Sequence, residues 1–374
     1  MDVFEIREIV SENISDELQQ IGFDDGYRFI AAKKFRYKNL KIYNLNPAQA
    51  NIIKQTALTV GADCATHRDV ITGNIETSNV ILGGSYSQLE KISEKLKCQP
   101  FNLKILGEVI ENHLSRKKQE TKLAGILNVT PDSFSDGGKY FAPYKAKKHL
   151  MQLINEGADM IDIGAESTRP YSDPVTPEIQ MKRLRPILEF IQNENINIPI
   201  SIDTRSSEVA EFALSIGANI INDVSGLDYD PNIANIVAKY NAGIIIQHSQ
   251  GNPQNMQNMP MYNNVVEDIW LNLKSKAEYA KSLGIKNIII DPGIGFGKTR
   301  ENNFEILDRI EEFYSLNLPV MVGVSRKTLL GIKGSDNELK DTLSASISYP
   351  LMQKKVDYLR VHNVKLHKQL LKLV

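Results

Sequence analysis

The chain has 374 residues, 42% hydrophobic and 24% charged, which is enough apolar material for one large domain and a smaller companion. A formal net charge of -1 gives no overall attraction to nucleic acid or to an anionic membrane, and no apolar run is long enough to cross a bilayer. The start, MDVFEIREIVSENISDELQQ, scatters acids among its apolar residues, unlike a secretory signal, and two cysteines, Cys64 and Cys98, suit a reducing compartment as structural thiols.

Residues 1–118 read as a small α/β unit. The spacing predicts a helix over 11–20, basic and aromatic-bearing strands over 27–43, and a helix from Pro47 to about Val60 with Asn46 as its N-cap. A short strand over 80–82 follows, then a helix from about Ser87 and another over 103–114. Lys33, Lys34, Phe35, Arg36, Tyr37 and Lys38 could form a nucleic-acid face, but the solvated side of an edge strand is the preferred reading. The stretch SRKKQETK (115–122) is a polar linker, and no activity is assigned to this unit.

From Leu123 the pattern becomes regular: a short apolar run, a polar loop, an amphipathic helix, and then the same again. Strands are expected at 123–128, 160–164, 199–203, 220–224, 243–248, 288–291, 319–324 and 358–362. Eight such strands alternating with eight helices over the remaining residues, 119–374, predict a (β/α)8 TIM barrel. The alternative, a doubly wound open sheet, would use fewer strands and a glycine-rich phosphate loop after the first, which is lacking.

A barrel brings the carboxyl ends of its strands to one mouth, and all eight runs end in polar or charged residues, which stability alone does not require. Asp203, Asn222, Asp291 and Lys327 directly follow apolar runs, which sets acceptors beside a cation in a partly dry cavity. Such a set reads the donor and acceptor edge of a flat, nitrogen-rich heterocycle, and sites of this kind reject analogues lacking that edge by roughly 10⁴–10⁵. Arg169, Arg360, His362 and Asn128 instead suit an anionic group such as a diphosphate, whose oxygens match guanidinium forks. His248 and His362 with scattered carboxylates lack zinc-ligand spacing, so Mg²⁺ riding on the diphosphate and touching one protein oxygen, such as that of Asn128, is the expected metal. Taken singly, any of these residues could be an ion-pair or capping partner. Asp223, Glu166 and Arg326 suit that supporting place as well, and His248 stays open.

Taken together, NVTPDSFSDGG (128–138), ESTRP (166–170), SIDT (201–204), QGNPQNMQ (250–257), DPGIGFGK (291–298), GVSRK (323–327) and RVHNV (360–364) give the barrel a close resemblance to the dihydropteroate synthase family. The resemblance implies a cytoplasmic, folate-pathway transferase that joins 4-aminobenzoate to 6-hydroxymethyl-7,8-dihydropterin diphosphate with Mg²⁺. Neither nucleic acid nor membrane is an expected partner, and a homodimer through the barrel helices is. By motif, the pterin falls to Asp203, Asn222, Asp291 and Lys327, and the diphosphate to Asn128, Thr168, Arg169, Arg360 and His362. Phe134 and Asp136 of the first loop, Arg169 and Pro170 of the second, and Phe296 and Thr328 would shape the aminobenzoate pocket. Lys327, Arg360, Asp136 and Arg169 take the catalytic roles. Asn128 is expected to stay fixed while 130–138 closes as a lid.

The sequence departs from the family's usual residues at Ala165, Tyr171, Gln247-His248-Ser249, Ile294 and Thr328. These changes bear on loop closure and on the response to sulfonamides, and none removes a charge from the set. Two alternatives share the barrel. A pterin-binding methyltransferase would need neither NVTPDSFSDGG nor the RVH pair, and a non-catalytic relative would not need Asn128, Arg169, Lys327, Arg360 and His362 intact.

Overall fold

A computed structural model describes residues 6–10, 13–117, 119–130, 141–166, 175–250, 260–331 and 336–374, apart from the side chains of 141, 142 and 328. The chain forms two compact units, Met1–Lys117 and Lys118–Val374, each with its own hydrophobic core.

In the first unit, α1 (Ile14–Gln20) and α2 (Arg28–Ala32) close on each other through Ile14, Leu18, Ala31 and Ala32. The helix α2 corrects the expectation of strands throughout 27–43. Alanine is the best helix former, and two small residues at 31 and 32 let one turn of helix approach α1, so the strand starts only at Tyr37. Next come β1 (Tyr37–Leu45), α3 (Pro47–Leu58), β2 (Asp63–Ala65), β3 (Ser78–Ser85), α4 (Tyr86–Leu96) and α5 (Leu103–Ser115). The three strands form an antiparallel sheet in the order β1-β3-β2. Asn46 with Gln49, and Ser85 with Gln88, make reciprocal capping boxes that start α3 and α4. The fully buried Ile53, Leu82, Leu89, Ile92 and Leu96 fill the core.

The second unit holds eight parallel strands: β4 (Lys122–Asn128), β5 (Met160–Gly164), β6 (Ile200–Asp203), β7 (Ile220–Asp223), β8 (Gly243–Gln247), β9 (Ile288–Asp291), β10 (Met321–Val322) and β11 (Tyr358–Val361). They pair in sequence from β4 to β9, β11 pairs with both β10 and β4, and an Ile290–Val320 bridge closes the ring between β9 and β10. Helices α6 (Phe141–Asn155), α7 (Pro177–Asn193), α8 (Ser207–Ser215), α9 (Asn232–Lys239), α10 (Val265–Ser282), α11 (Arg300–Asp308), α12 (Asn337–Gln353) and α13 (Val364–Leu371) surround it. This is the (β/α)8 barrel expected from the sequence, and its strands start and stop within about two residues of the expected positions. Ser206, Asn264, Thr299, Asp336 and Asn363 each accept a backbone N–H at the start of a helix, so the loops at the mouth also carry the helix caps.

Side chains alternate along a strand, and the alternation divides the barrel interior into layers. Ala124, Met160, Ile245, Ile289 and Met321, joined by Ile220 and Tyr358, form an apolar floor. Two residues further along β5, β7, β8, β9 and β11 the same inward face carries Asp162, Asn222, Gln247, Asp291 and Arg360. A polar layer thus lies directly on an apolar one, and water is excluded from below.

Because the two units have separate cores, residues 118–374 are expected to fold alone. A cooperative thermal transition of that fragment by circular dichroism is the expected result. A gradual, non-cooperative melt would show that 1–117 completes the barrel.

Candidate active site

Five ionisable or amide groups of the polar layer are almost wholly buried: Asp162, Asp203, Asn222, Asp291 and Arg360. The Arg360 guanidinium joins them. Its Nε donates to Asp162 Oδ2 and its Nη2 to Asp203 Oδ2, two charge-assisted bonds reaching from β11 to β5 and β6. Asn222 Nδ2 donates to the same Asp162 oxygen at 3.1 Å. Among the described residues, the buried Asp162 Oδ1, Asp203 Oδ1 and Ser201 Oγ make no hydrogen bond.

Asn128, at the end of β4, stands beside this group. A Cβ on Gly164 would lie 3.2 Å from Asn128 Oδ1 and 3.7 Å from Asp203 Cβ, so a glycine at 164 keeps the amide oxygen clear. On the opposite side, Asp291 Oδ1 accepts the Gly293 N–H at 2.7 Å, and Lys327 donates to the Ile294 carbonyl with its ammonium 4.6 Å from the Phe296 ring centroid.

The loops after β8 and β9 are stapled by Lys298. Its buried Nζ lies 3.0 Å from His248 Nδ1 and donates to the carbonyls of Gly293 and Phe296, both at 2.9 Å. Gly293 has φ +71°, and a Cβ there would sit 1.8 Å from the His248 carbonyl oxygen, so only glycine admits the crossing. His248, open on the sequence, belongs to this staple.

The loops after β10 and β11 are fastened to each other and to α12. Ser325 Oγ lies 2.9 Å from His362 Nδ1 and accepts the His362 N–H at 3.2 Å. Arg326 adopts φ +57°, a conformation unfavourable for a side chain with a Cβ, and is held in it by a bidentate pair with Asp341 at 2.7 and 2.8 Å and by Ser344 Oγ on its N–H. Asp341 also accepts from Asn363, the cap of α13. Glu166 is taken up by Arg205 and the Val175 N–H, and Asp223 by Ser225 and the Leu227 N–H. Glu166, Asp223 and Arg326 therefore support the loops.

Burial sets the proton affinities. It pushes the Asp203 carboxyl up to about 7, with Arg360 pulling it down and Asp162 pushing it up, and raises Asp291 against the pull of Lys327. Lys327 falls to about 8, chiefly by desolvation, with Asp291 opposing, and Lys298 is held well below the ordinary lysine value for the same reason. Burial and then Lys298 depress His248 to about 2, so it is neutral.

The structure thus gathers Asp203, Asn222, Asp291, Lys327 and Arg360 into one layer with Asn128 at its edge, and sets Ser325 and His362 together at the rim. Arg360, assigned from the sequence to the anionic group, has its guanidinium among the heterocycle set. Phe134, Asp136, Thr168, Arg169 and Pro170, and with them the lid expected at 130–138 beyond Thr130, lie outside the described residues, as does the side chain of Thr328. Two participants were missed. Asp162 is the lone charge in MIDIG, at an inward position of an apolar strand, and that was the available signal. Lys298 ends DPGIGFGK, where nothing in the sequence separates a staple from a solvated lysine.

The model of the pterin binding enzymes matches residues 124–362. A dihydropteroate synthase of Clostridium beijerinckii is 41% identical over 251 residues, 66% of this chain and 90% of the relative. A bifunctional dihydropteroate synthase/dihydropteroate reductase of Helicobacter pylori is 32% identical over 98% of this chain and 97% of its own. The crystal structure of the Clostridium difficile dihydropteroate synthase, solved in the presence of pteroic acid, superposes with a TM-score of 0.64 at 36% identity, covering 68% of this chain and 96% of that one. The (β/α)8 barrel is thus that of a pterin-binding enzyme. The chain belongs to the dihydropteroate synthase family of those enzymes. It is a transferase of folate biosynthesis that condenses 6-hydroxymethyl-7,8-dihydropterin diphosphate with 4-aminobenzoate to give 7,8-dihydropteroate and diphosphate.

A carboxyl raised in the folded state binds its proton more tightly there than in the unfolded chain, so its ionisation removes stability as pH rises. For Asp203 that window runs from the ordinary 3.8 to about 7. Asp203→Asn lacks this loss, so its Tm relative to the native chain should be more favourable at about pH 8 than at about pH 5. Thermal melts of both proteins check this, and parallel pH profiles would place the Asp203 carboxyl near its ordinary value.

Proposed function

We propose that Asp203, Asn222, Asp291 and Lys327 hold the pterin ring, and that Asn128, Thr168, Arg169 and His362, with Arg360 at the join, hold the diphosphate. The convergence of buried Asp203, Asn222, Asp291 and Arg360 above an apolar floor carries this reading. Among the described residues the buried acceptor Asp203 Oδ1 has no partner, which is costly unless a donor meets it, and a pterin edge supplies N–H donors. Lys327, close to Asp291 and over Phe296, supplies the opposing donor.

No group of three His, Cys, Asp or Glu side chains among the described residues could cage a metal. A lone amide oxygen, that of Asn128, suits a hard cation that brings its remaining oxygen ligands with it, so the donor set accommodates Mg²⁺ carried on the diphosphate. Bound there, Mg²⁺ would neutralise charge on the leaving group. The reaction is proposed to be dissociative. The C–O bond to diphosphate breaks with its electrons leaving on oxygen, and the exocyclic carbon, conjugated with the pterin, carries positive charge until the arylamine nitrogen attacks and loses a proton. The buried carboxylates Asp203 and Asp291 tolerate that charge, Arg360 counters the departing anion, and the dry floor keeps water from competing. Phe134, Asp136, Pro170, Phe296 and Thr328 are proposed to frame the aminobenzoate. A cytoplasmic homodimer completes the reading, supported by exposed Phe304 and Leu339 on the barrel helices α11 and α12.

A second activity is favoured by length. The Helicobacter relative matches 98% of the chain, whereas the Clostridium beijerinckii synthase matches 66% of it. On that ground we propose that the full chain also reduces dihydropteroate, taking hydride from an external reductant. Dihydropteroate-dependent oxidation of a reduced nicotinamide, tried with and without added flavin, would reveal it, and no oxidation above background in either would sink it.

For the synthase assignments, Lys327→Ala and Arg360→Ala should each lower kcat/KM by at least roughly 10²-fold, about 2.7 kcal/mol of transition-state stabilisation. Steady-state assays with pterin diphosphate, 4-aminobenzoate and Mg²⁺ measure this, and native kinetics in either variant would refute its role. Chelation should abolish turnover and added Mg²⁺ restore it. Turnover unaffected by chelation would remove the metal from the proposal.

A further inference from the structure

Asp162 is fully buried, belongs to no strand end and contacts both Asn222 of the pterin set and Arg360 at its join with the diphosphate group. In the ring order β11-β4-β5-β6-β7, its strand is two places from β11 and two from β7, so its carboxylate reaches across the interior to both. One oxygen, Oδ2, accepts from Arg360 Nε and from Asn222 Nδ2. This has a chemical consequence at each end. A carboxylate can only accept, so it takes the amide NH₂ of Asn222 and leaves Oδ1 as the end available to a ligand. Asn222 then stands with Asp203 and Asp291 as a third acceptor. Arg360, meanwhile, has two counter-ions. When pterin donors compete for Asp203, Asp162 is, among the described residues, the carboxylate still bonded to the guanidinium, with Asp291 adding to it at longer range.

We propose that Asp162 is a positioning residue for the pterin reaction, turning the Asn222 carbonyl toward the substrate and anchoring Arg360 while Asp203 changes partner. The inference rests on the assignment of Asn222 to the pterin and of Arg360 to its join with the diphosphate.

Asp162→Asn keeps shape and size but removes the charge and the acceptor-only character. In the full-length enzyme it should raise KM for the pterin diphosphate by at least about tenfold while KM for 4-aminobenzoate stays within about twofold, a split that general loosening of the barrel would not produce. The same change in an Arg360→Ala background should cost less than about a third of what it costs in the native chain, since coupled residues are not additive. If Asp162→Asn has native kinetics while Asn222→Ala raises the pterin KM, the inference falls and the pterin site stands. If Asn222→Ala and Arg360→Ala also leave that KM unchanged, the site assignment falls and takes the inference with it. A measurement on the unmutated chain guards against misfolded variants: the ¹⁵Nε–H resonance of Arg360 should remain sharp and protected from exchange when pterin diphosphate is added. Its loss on binding would show that Asp162 does not hold the arginine.

Discussion

The barrel closes around one positive charge. Arg360 projects from β11 into the interior, and its guanidinium is shared by Asp162 and Asp203 immediately above a floor of Ala124, Met160, Ile245, Ile289 and Met321. Desolvating three ionised groups is unfavourable, and breaking such an arrangement by removing one partner typically costs about 3–5 kcal/mol because a charge is left buried and alone. The group is tolerable only if β11, β5 and β6 keep their register, since a slip of one residue would turn these side chains out among the helices. Closure of the ring and assembly of the buried layer of Asp162, Asp203 and Arg360 are therefore the same event.

The strands were readable because each is a run of isoleucine, valine or leucine buried on both faces, and the barrel followed from their number and rhythm. Asp203, Asn222, Asp291, Lys327 and Arg360 stand at or near strand ends, which is why their gathering at the mouth is legible in the sequence. Asp162 is less legible because it lies within the strand, two residues before Gly164, the last of β5. Applying the two-residue alternation backwards from the mouth would have found it, since an aspartate facing inward must be partnered. The helix α2 escaped for a different reason. Its five residues carry too little pattern to compete with neighbouring aromatic and basic residues that resemble a strand, and what decides the matter is contact with Ile14 and Leu18, remote in sequence. The first unit as a whole has no closed ring to gather its polar residues in one place, which is why its chemistry could not be read in the same way.

Glycine-rich DPGIGFGK illustrates a third limit. As a string it suggests a flexible turn, yet in space Lys298 binds two carbonyls of its own loop and lies against His248 of the preceding one, with Gly293 allowing the backbones to cross. Among the described residues no carboxylate is directly bound to the lysine, and its depressed proton affinity follows chiefly from desolvation. Phe296 and the Ile294 carbonyl, both in contact with Lys327, are held by this means at a fixed height over Asp291.

The Arg326–Asp341 pair has a wider reach than its place in the loop suggests. Asp341 belongs to α12 on the outside of the barrel, and it holds both the strained backbone between Ser325 and Lys327 and the residue that caps α13. The last two loops are thereby both tied to a single outer helix. Since α12 also presents Leu339 to the surface, the helix that ties the loops carrying Lys327 and His362 has an apolar side chain exposed on the outside of the barrel.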